Sequence, residues 1–293
     1  MKSGGIRIGT LIIPDFAVTG LTPTNLNYWS TLQTAGFDLA VCDYYSSEYA
    51  SGHSSANWPT YLGHQNTLGL QGIYSVGEEW RASDYAFANG SAFFPLYQDN
   101  PSLWAAYHFD EPVWNCQPCG FQGGLPAYWQ LTGGSIDNDN RGWIDSVTAL
   151  HAIAPRVRVY SPQAYHTSII TASYNSTCAT VNAHMGYTGA DGYGFSQSDV
   201  TSWMNTYGAG KPYFLVAQAF GTVSQSDALT WMQQAEAGGA SGVLWWGRRT
   251  TPSNLVVNQT SWNNILAAIA SFRSTYTSTG TVCGTCANIF QLT

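Results

Sequence analysis

Apolar and polar positions along the 293 residues fall into two alternating kinds of stretch. The first is a short, near-continuous run of apolar and aromatic residues. It occurs at 6–13 (IRIGTLII), 38–45 (DLAVCDYY), 71–79 (QGIYSVGEE), 103–111 (LWAAYHFDE), 156–164 (RVRVYSPQA), 190–197 (ADGYGFSQ), 211–220 (KPYFLVAQAF) and 241–249 (SGVLWWGRR). Runs without the alternation of a half-exposed strand read as strands buried on both faces, which belong to parallel sheets. Between them lie amphipathic stretches of helical period at 22–36, 57–70, 141–155 and 224–239, and a last one at 261–276. Strand and helix in alternation predict an α/β fold, and eight such units match a single (β/α)8 TIM barrel.

The fifth unit is the weakest. Its helix must come from TSIITASYNSTCATVNAHMG, whose helical period is poor, and the alternative start of the sixth strand is near VNAHMGY. A doubly wound sheet is the competing architecture, but no GxGxxG or Walker loop follows the first strand. Roughly residues 113–140 form a long insertion between strand four and its helix, an extended β4–α4 loop. Loops of that length in a compact domain are functional or disordered. Two cysteines and several aromatics favour an ordered loop over the catalytic face. The opening MKSGG, residues 1–5, reads as a start codon with an added scar, so that a native signal peptide could have been removed. Residues 6–277 read as the barrel and 278–293 as a tail carrying CGTC.

Composition narrows the function. Hydrophobic residues make up 44%, aromatics 14% and charged residues only 9%. This excludes a disordered chain. It suits a surface covered by Ser, Thr, Asn, Gln and Gly, as in exported proteins. A net charge of −7 with 10 Lys+Arg leaves no phosphate-tracking surface, so no nucleic-acid partner is expected. No apolar run approaches the roughly 20 residues of a membrane span, so no membrane partner is expected either. The six cysteines include CQPC (Cys116, Cys119) and CGTC (Cys283, Cys286), besides Cys42 and Cys178. Disulfides in a secreted, extracellular protein are the favoured reading, with a four-thiolate zinc site the alternative. Three Asn-x-Ser/Thr sequons, at Asn89, Asn175 and Asn258, point the same way as the low charge.

The carboxylates then stand out against this background. The chain has five Glu, and Glu78, Glu79 and Glu111 fall at the ends of strands three and four. Asp110 adjoins Glu111, Asp43 closes strand two and Asp15 closes strand one. In a (β/α)8 barrel the C-terminal strand ends build the active site. Two carboxylates across a pocket are the equipment of glycoside hydrolysis, one of them holding a proton for the leaving oxygen. Strand-end acids that only cap helices or meet surface arginines are the bland alternative.

Strand four ending in FDEP, strand seven ending in AQAFG and strand eight carrying GVLWWGRR resemble the barrel glycosidases of clan A and their relatives. That resemblance implies an O-glycosyl hydrolase with Glu111 as acid/base and with Trp245 or Trp246 as a floor for the sugar. Two positions depart from the pattern. Asp110 stands where the clan has Asn, and Gln218 stands where the clan has its nucleophilic Glu. An amide cannot form the glycosyl-enzyme intermediate, so three schemes remain open. Glu78 or Glu79 faces Glu111 as nucleophile or base. Alternatively Asp110 and Glu111 act as a substrate-assisted pair on an amino sugar, as in hexosaminidases. In the third scheme the barrel binds glycans without cleaving them.

Further expected substrate contacts are Asp43, Tyr45, His108, Gln163, Tyr165 and Gln218, with aromatics such as Tyr193 and Phe220 stacking on sugar faces. Arg248 and Arg249 read as internal partners of a strand-one acid such as Asp15. His166 is a weaker candidate base. The histidines are scattered and no HExxH occurs, so no metal and no cofactor are expected. No G-x-S-x-G elbow supports an esterase. The partner expected is a carbohydrate substrate, acted on by a monomer.

Overall fold

The computed structural model describes residues 5–11, 27–43, 58–77, 92–108, 111–114, 116, 142–164, 171–208, 210–247 and 257–279. Of residues 27, 28, 42, 43, 75–77, 108 and 276–279 it describes the backbone alone. In chain order the elements begin β1 (Arg7–Thr10), α1 (Asn27–Ala35), β2 (Leu39–Asp43), α2 (Trp58–Leu68) and β3 (Gln71–Gly77). A short helix α3 (92–97) follows. Then come β4 (Leu103–His108), α4 (Trp143–Ile153), β5 (Val159–Tyr160), β6 (Gln163–Ala164) and α5 (Ala172–Asn182). The chain continues through β7 (Thr188–Tyr193), α6 (Gln197–Tyr207), β8 (Tyr213–Gln218), α7 (Gln225–Ala237), β9 (Gly242–Trp246) and α8 (Gln259–Thr279).

All pairings are parallel, and the sheet runs β5-β4-β3-β2-β1-β9-β8-β7-β6. β5 and β6 are two pieces of the barrel's fifth strand, interrupted at Ser161–Pro162, where proline removes a ladder donor. The bridge Tyr160–Tyr187 and the bonds of the Gly186 and Tyr187 N–H groups to Val159 O close the ring. The chain is therefore a (β/α)8 barrel, with β7, β8 and β9 as its sixth, seventh and eighth strands. Two helices were not foreseen from sequence, α3 and α6. The second has a legible signal: Ser196 and Asp199 form a reciprocal capping box. The doubtful fifth helix does form, as α5, with the Thr171 hydroxyl accepting from Tyr174 N at 3.1 Å. The sixth strand accordingly starts at Thr188, because Val181 and Asn182 belong to that helix.

Side-chain alternation along each strand sorts the apolar residues into two cores. Ile8, Ala40, Tyr74, Val159, Leu215 and Trp245 pack outward against helix residues such as Trp29, Val147 and Ile269. Leu39, Ile73, Tyr107, Tyr160, Phe214, Val216, Leu244 and Trp246 fill the barrel interior. The helix exteriors carry Ser, Thr, Asn and Gln instead of charge, and many hydroxyls bond back to a carbonyl four residues earlier, as in Thr177, Thr180, Thr201 and Thr206. Such back-bonding satisfies the hydroxyl locally, so these faces need no charged partner.

Candidate active site

Glu111 follows β4 in a backbone conformation that a side chain rarely adopts, with φ +47°. Its N–H donates to Pro162 O at 3.1 Å, tying the end of β4 to the break in the fifth strand. Pro112 and Val113, which come next, are buried, while Glu111 itself is half-buried. A left-handed non-glycine residue costs about 1–2 kcal/mol, and such strain persists where neighbours over-determine it. The Glu111 charge reaches Tyr174 on α5. That phenol is held well above its usual range, chiefly by burial, then by Cys178 and by Glu111. Burial likewise pushes the Cys178 thiol up to about 12.

Across the barrel, β7 and β9 deliver an aromatic group to the same C-terminal end. Tyr193 lies over Trp246 with ring centroids 5.5 Å apart and planes 27° apart. Phe220 stands edge-on to both, at 5.2 Å from Tyr193 and 5.6 Å from Trp246. A register shift between Asp191 and Tyr193 turns the chain here, and Tyr193 takes φ +55°. Gly192 allows the turn to sit tight against α6, since a Cβ there would lie 2.4 Å from the Trp203 ring. Gln218 ends β8 beside Trp246, on the strand face of Phe214 and Val216, and is half-buried. Rings of this kind offer apolar faces with wet edges, which suits the C–H faces of sugars.

The choice between the two tryptophans of strand eight follows from alternation. Trp246 lines the interior, whereas Trp245 is wholly buried on the outer face against Trp231, 6.2 Å away. Trp245 is thus a core residue and not a sugar floor. Gln163, expected as a substrate contact, also faces outward. It is fully buried and donates to Asn182 Oδ1 at 2.9 Å, and Asn182 in turn donates to Tyr207 O at 2.8 Å. That network fastens the fifth strand to α5 and leaves Gln163 no access to the barrel interior.

Asp191 was not singled out from sequence. It is a buried carboxylate on β7, paired in register with Ala164 and Val216, and it faces the barrel interior one step below Tyr193. A single Asp inside an apolar strand was the available signal, because an ionised carboxylate is expensive to bury without a partner or a task. Asp43 and His108 close β2 and β4, at the C-terminal end as expected, with side chains beyond the description. Glu78, Glu79, Asp110, Tyr45, Tyr165, His166, Asp15, Arg248 and Arg249 all lie outside the described residues. Among the described residues no group of His, Cys, Asp and Glu is arranged to hold a metal ion, and no helix is long and apolar enough to cross a membrane. Cys178 is a free, buried thiol. Cys116 is buried as well, while Cys119, Cys283 and Cys286 lie outside the described residues.

No protein-family model matches the chain, and no curated protein matches it. Solved structures do. An endo-1,4-β-mannanase from Eisenia fetida superposes with a TM-score of 0.54 at 11% identity, over 92% of this chain and 91% of that one. Active domain 2 of a thermostable chitinase from Pyrococcus furiosus gives 0.53 at 9% identity, over 94% and 98%. A β-galactosidase from Rahnella sp. R3 gives 0.60 at 10% identity, over 94% of this chain and 56% of the other. At such identities the likeness establishes the barrel fold and leaves the chemistry to the residues.

Proposed function

We propose that the protein is a glycoside hydrolase in which Glu111 gives a proton to the leaving glycosidic oxygen. The observation that carries this reading is the end of β4. There a glutamate is held in a strained left-handed conformation and tied to the fifth strand, at the barrel end that also carries the Trp246–Tyr193–Phe220 group. Active sites of this fold are built at that end, and several solved barrels that superpose on it are named as glycosidases.

Gln218 stands at the end of strand seven and cannot act as a nucleophile, so the second carboxylate comes from elsewhere. Glu78 or Glu79 remains the favoured partner, and Asp110 the orienting group of a substrate-assisted alternative. The substrate is a polysaccharide or amino-sugar glycan held against Trp246. The same reading includes an exported protein with its CQPC and CGTC cysteines in disulfides. A specific observation favours a second reading, a barrel that binds glycans without cleaving them: the amide of Gln218 at the nucleophile's place.

The test is reducing-sugar release from a panel of β-linked polysaccharides and chitin-type oligosaccharides, comparing the wild type with Glu111→Gln. Release by the wild type that falls at least 1,000-fold in the variant, on the order of losing a general acid, supports the hydrolase. No release on any substrate, with glycan affinity equal in both proteins, overturns it in favour of the binding barrel.

A further inference from the structure

Trp246 lines the barrel interior, yet it keeps only 6% of its surface exposed. Tyr193 lies over it with planes 27° apart, and Phe220 stands edge-on to it at 89°. It shares the interior core with Val216 and Leu244. A sugar that stacks on an aromatic ring needs an open face of that ring. Tyr193 and Phe220 are half-buried, so each keeps more of its surface open than Trp246 does.

The backbone at Tyr193 shows what holds its ring in place. Gly194 N–H donates to Gly192 O at 2.6 Å, closing a three-residue turn around Tyr193 at φ +55°. This is the positive-φ form of the γ-turn, which is rare and strained. Before the turn, β7 is fixed by its register with β8, where Asp191 pairs with Val216 and Tyr193 with Ala217. After it, Phe195 is buried beside Trp203 and Trp231, with ring centroids 6.1 and 6.5 Å away. Ser196 then opens α6 with its capping box. Gly192 has no room for a Cβ, which would lie 2.4 Å from the Trp203 ring, and at Gly194 one would sit tightly, 3.2 Å from the Trp231 ring. The turn is pinned at both ends, which is the condition for strain to persist. A third glycine at position 193 would take this φ without strain, so the strain is the cost of having a side chain there.

Glu111 and Tyr193 are the two non-glycine residues with positive φ among the described residues. They end β4 and β7, the fourth and sixth strands of the barrel, on either side of the broken fifth strand. Two strand spacings, roughly 10 Å, separate those strands, a distance that one or two sugar rings span. Strained residues gather where ligands are clamped.

We propose that Tyr193 is the ring on which the glycan stacks, and that Trp246 acts on the glycan only through it, as the buried ring that supports it, with Phe220 as a side wall. The ligand class is a sugar ring presenting a C–H face. The proposal rests on the reading of the Glu111 mouth as a glycan site, and it holds for the hydrolase and the binding barrel alike. It moves the sugar platform from strand eight, where the resemblance to clan A puts it, to strand six.

The test is titration calorimetry of β-1,4-linked oligosaccharides of glucose, mannose and N-acetylglucosamine against the full chain carrying Glu111→Gln, so that no substrate is turned over. Tyr193→Phe in that reference keeps the ring face and is expected to bind within about 2-fold of it. Tyr193→Ala and Tyr193→Gly remove the ring and are expected to weaken binding about 10-fold. Glycine relieves the turn, so the urea midpoint of that variant is expected above that of the alanine variant while its binding stays equally weak. A merely structural role would instead restore binding together with stability. Unchanged binding in the alanine and glycine variants overturns the proposal, and tighter binding overturns it in favour of a cover that hides Trp246. A loss as large in Tyr193→Phe overturns stacking in favour of the hydroxyl. No binding of any oligosaccharide to the reference protein overturns the glycan reading of the mouth and this proposal with it. Sugar release absent from the wild type, with binding lost only when the ring is removed, overturns the hydrolase and supports Tyr193 as the platform.

Discussion

Replacing Glu111 by glycine separates the cost of the site's geometry from its chemistry. At φ +47° the Cβ of Glu111 crowds its own backbone, which costs about 1–2 kcal/mol. Glycine removes that crowding but loses more freedom on folding, returning about 0.5–1 kcal/mol. The bond from the residue 111 N–H to Pro162 O belongs to the main chain and survives the change. The Glu111 side chain is half-buried. Glu111→Gly is therefore expected to stabilise the fold by about 0.5–1 kcal/mol. Glu111→Gln retains the Cβ and the strain, and is expected to fall within about 0.5 kcal/mol of the wild type. Urea unfolding of the three proteins reads this directly, as a higher midpoint for the glycine variant at unchanged slope. Both variants are expected to lose sugar release, so stability and activity move in opposite directions in one of them. A glycine variant less stable than the glutamine variant by more than about 0.5 kcal/mol would refute the claim that residue 111 is strained for function.

Two further expectations follow from the same structure. Trp246 is buried as well as Trp245, so Trp246→Ala and Trp245→Ala are each expected to cost about 3–5 kcal/mol of stability, but only Trp246→Ala is expected to weaken glycan binding, about 10-fold or roughly 1.4 kcal/mol; calorimetric binding and urea unfolding of both variants check the contrast. Burial raises the folded-state pKa of Cys178 to about 12 from 9.0, so the unfolded chain loses that proton first as pH rises. Stability from this group is complete below pH 9 and falls by about 1.4 kcal/mol per pH unit towards the folded value, and Cys178→Ala is expected to flatten the alkaline slope of the unfolding midpoint.

The barrel was legible because its signal is local and repeated. Eight buried apolar runs, spaced by amphipathic stretches, leave few other ways to satisfy the backbone of a parallel sheet. Asp43, His108 and Gln218 close their strands where the apolar runs end, since a run of buried side chains stops where the chain reaches solvent. The fifth unit was less legible because α5 has little amphipathic contrast, and Thr171 capping with tertiary packing decides it.

What sequence alone determined was the alternation of elements, hence the fold. It did not determine which way a given strand side chain points, because a strand buried on both faces shows no polar side to set the phase. Tertiary structure settled that Trp246 lines the interior while Trp245 and Gln163 pack against helices. It also brought Asp191 inside the barrel beneath Tyr193. These groups come from strands and loops far apart in the chain, and only closure of the ring puts them together.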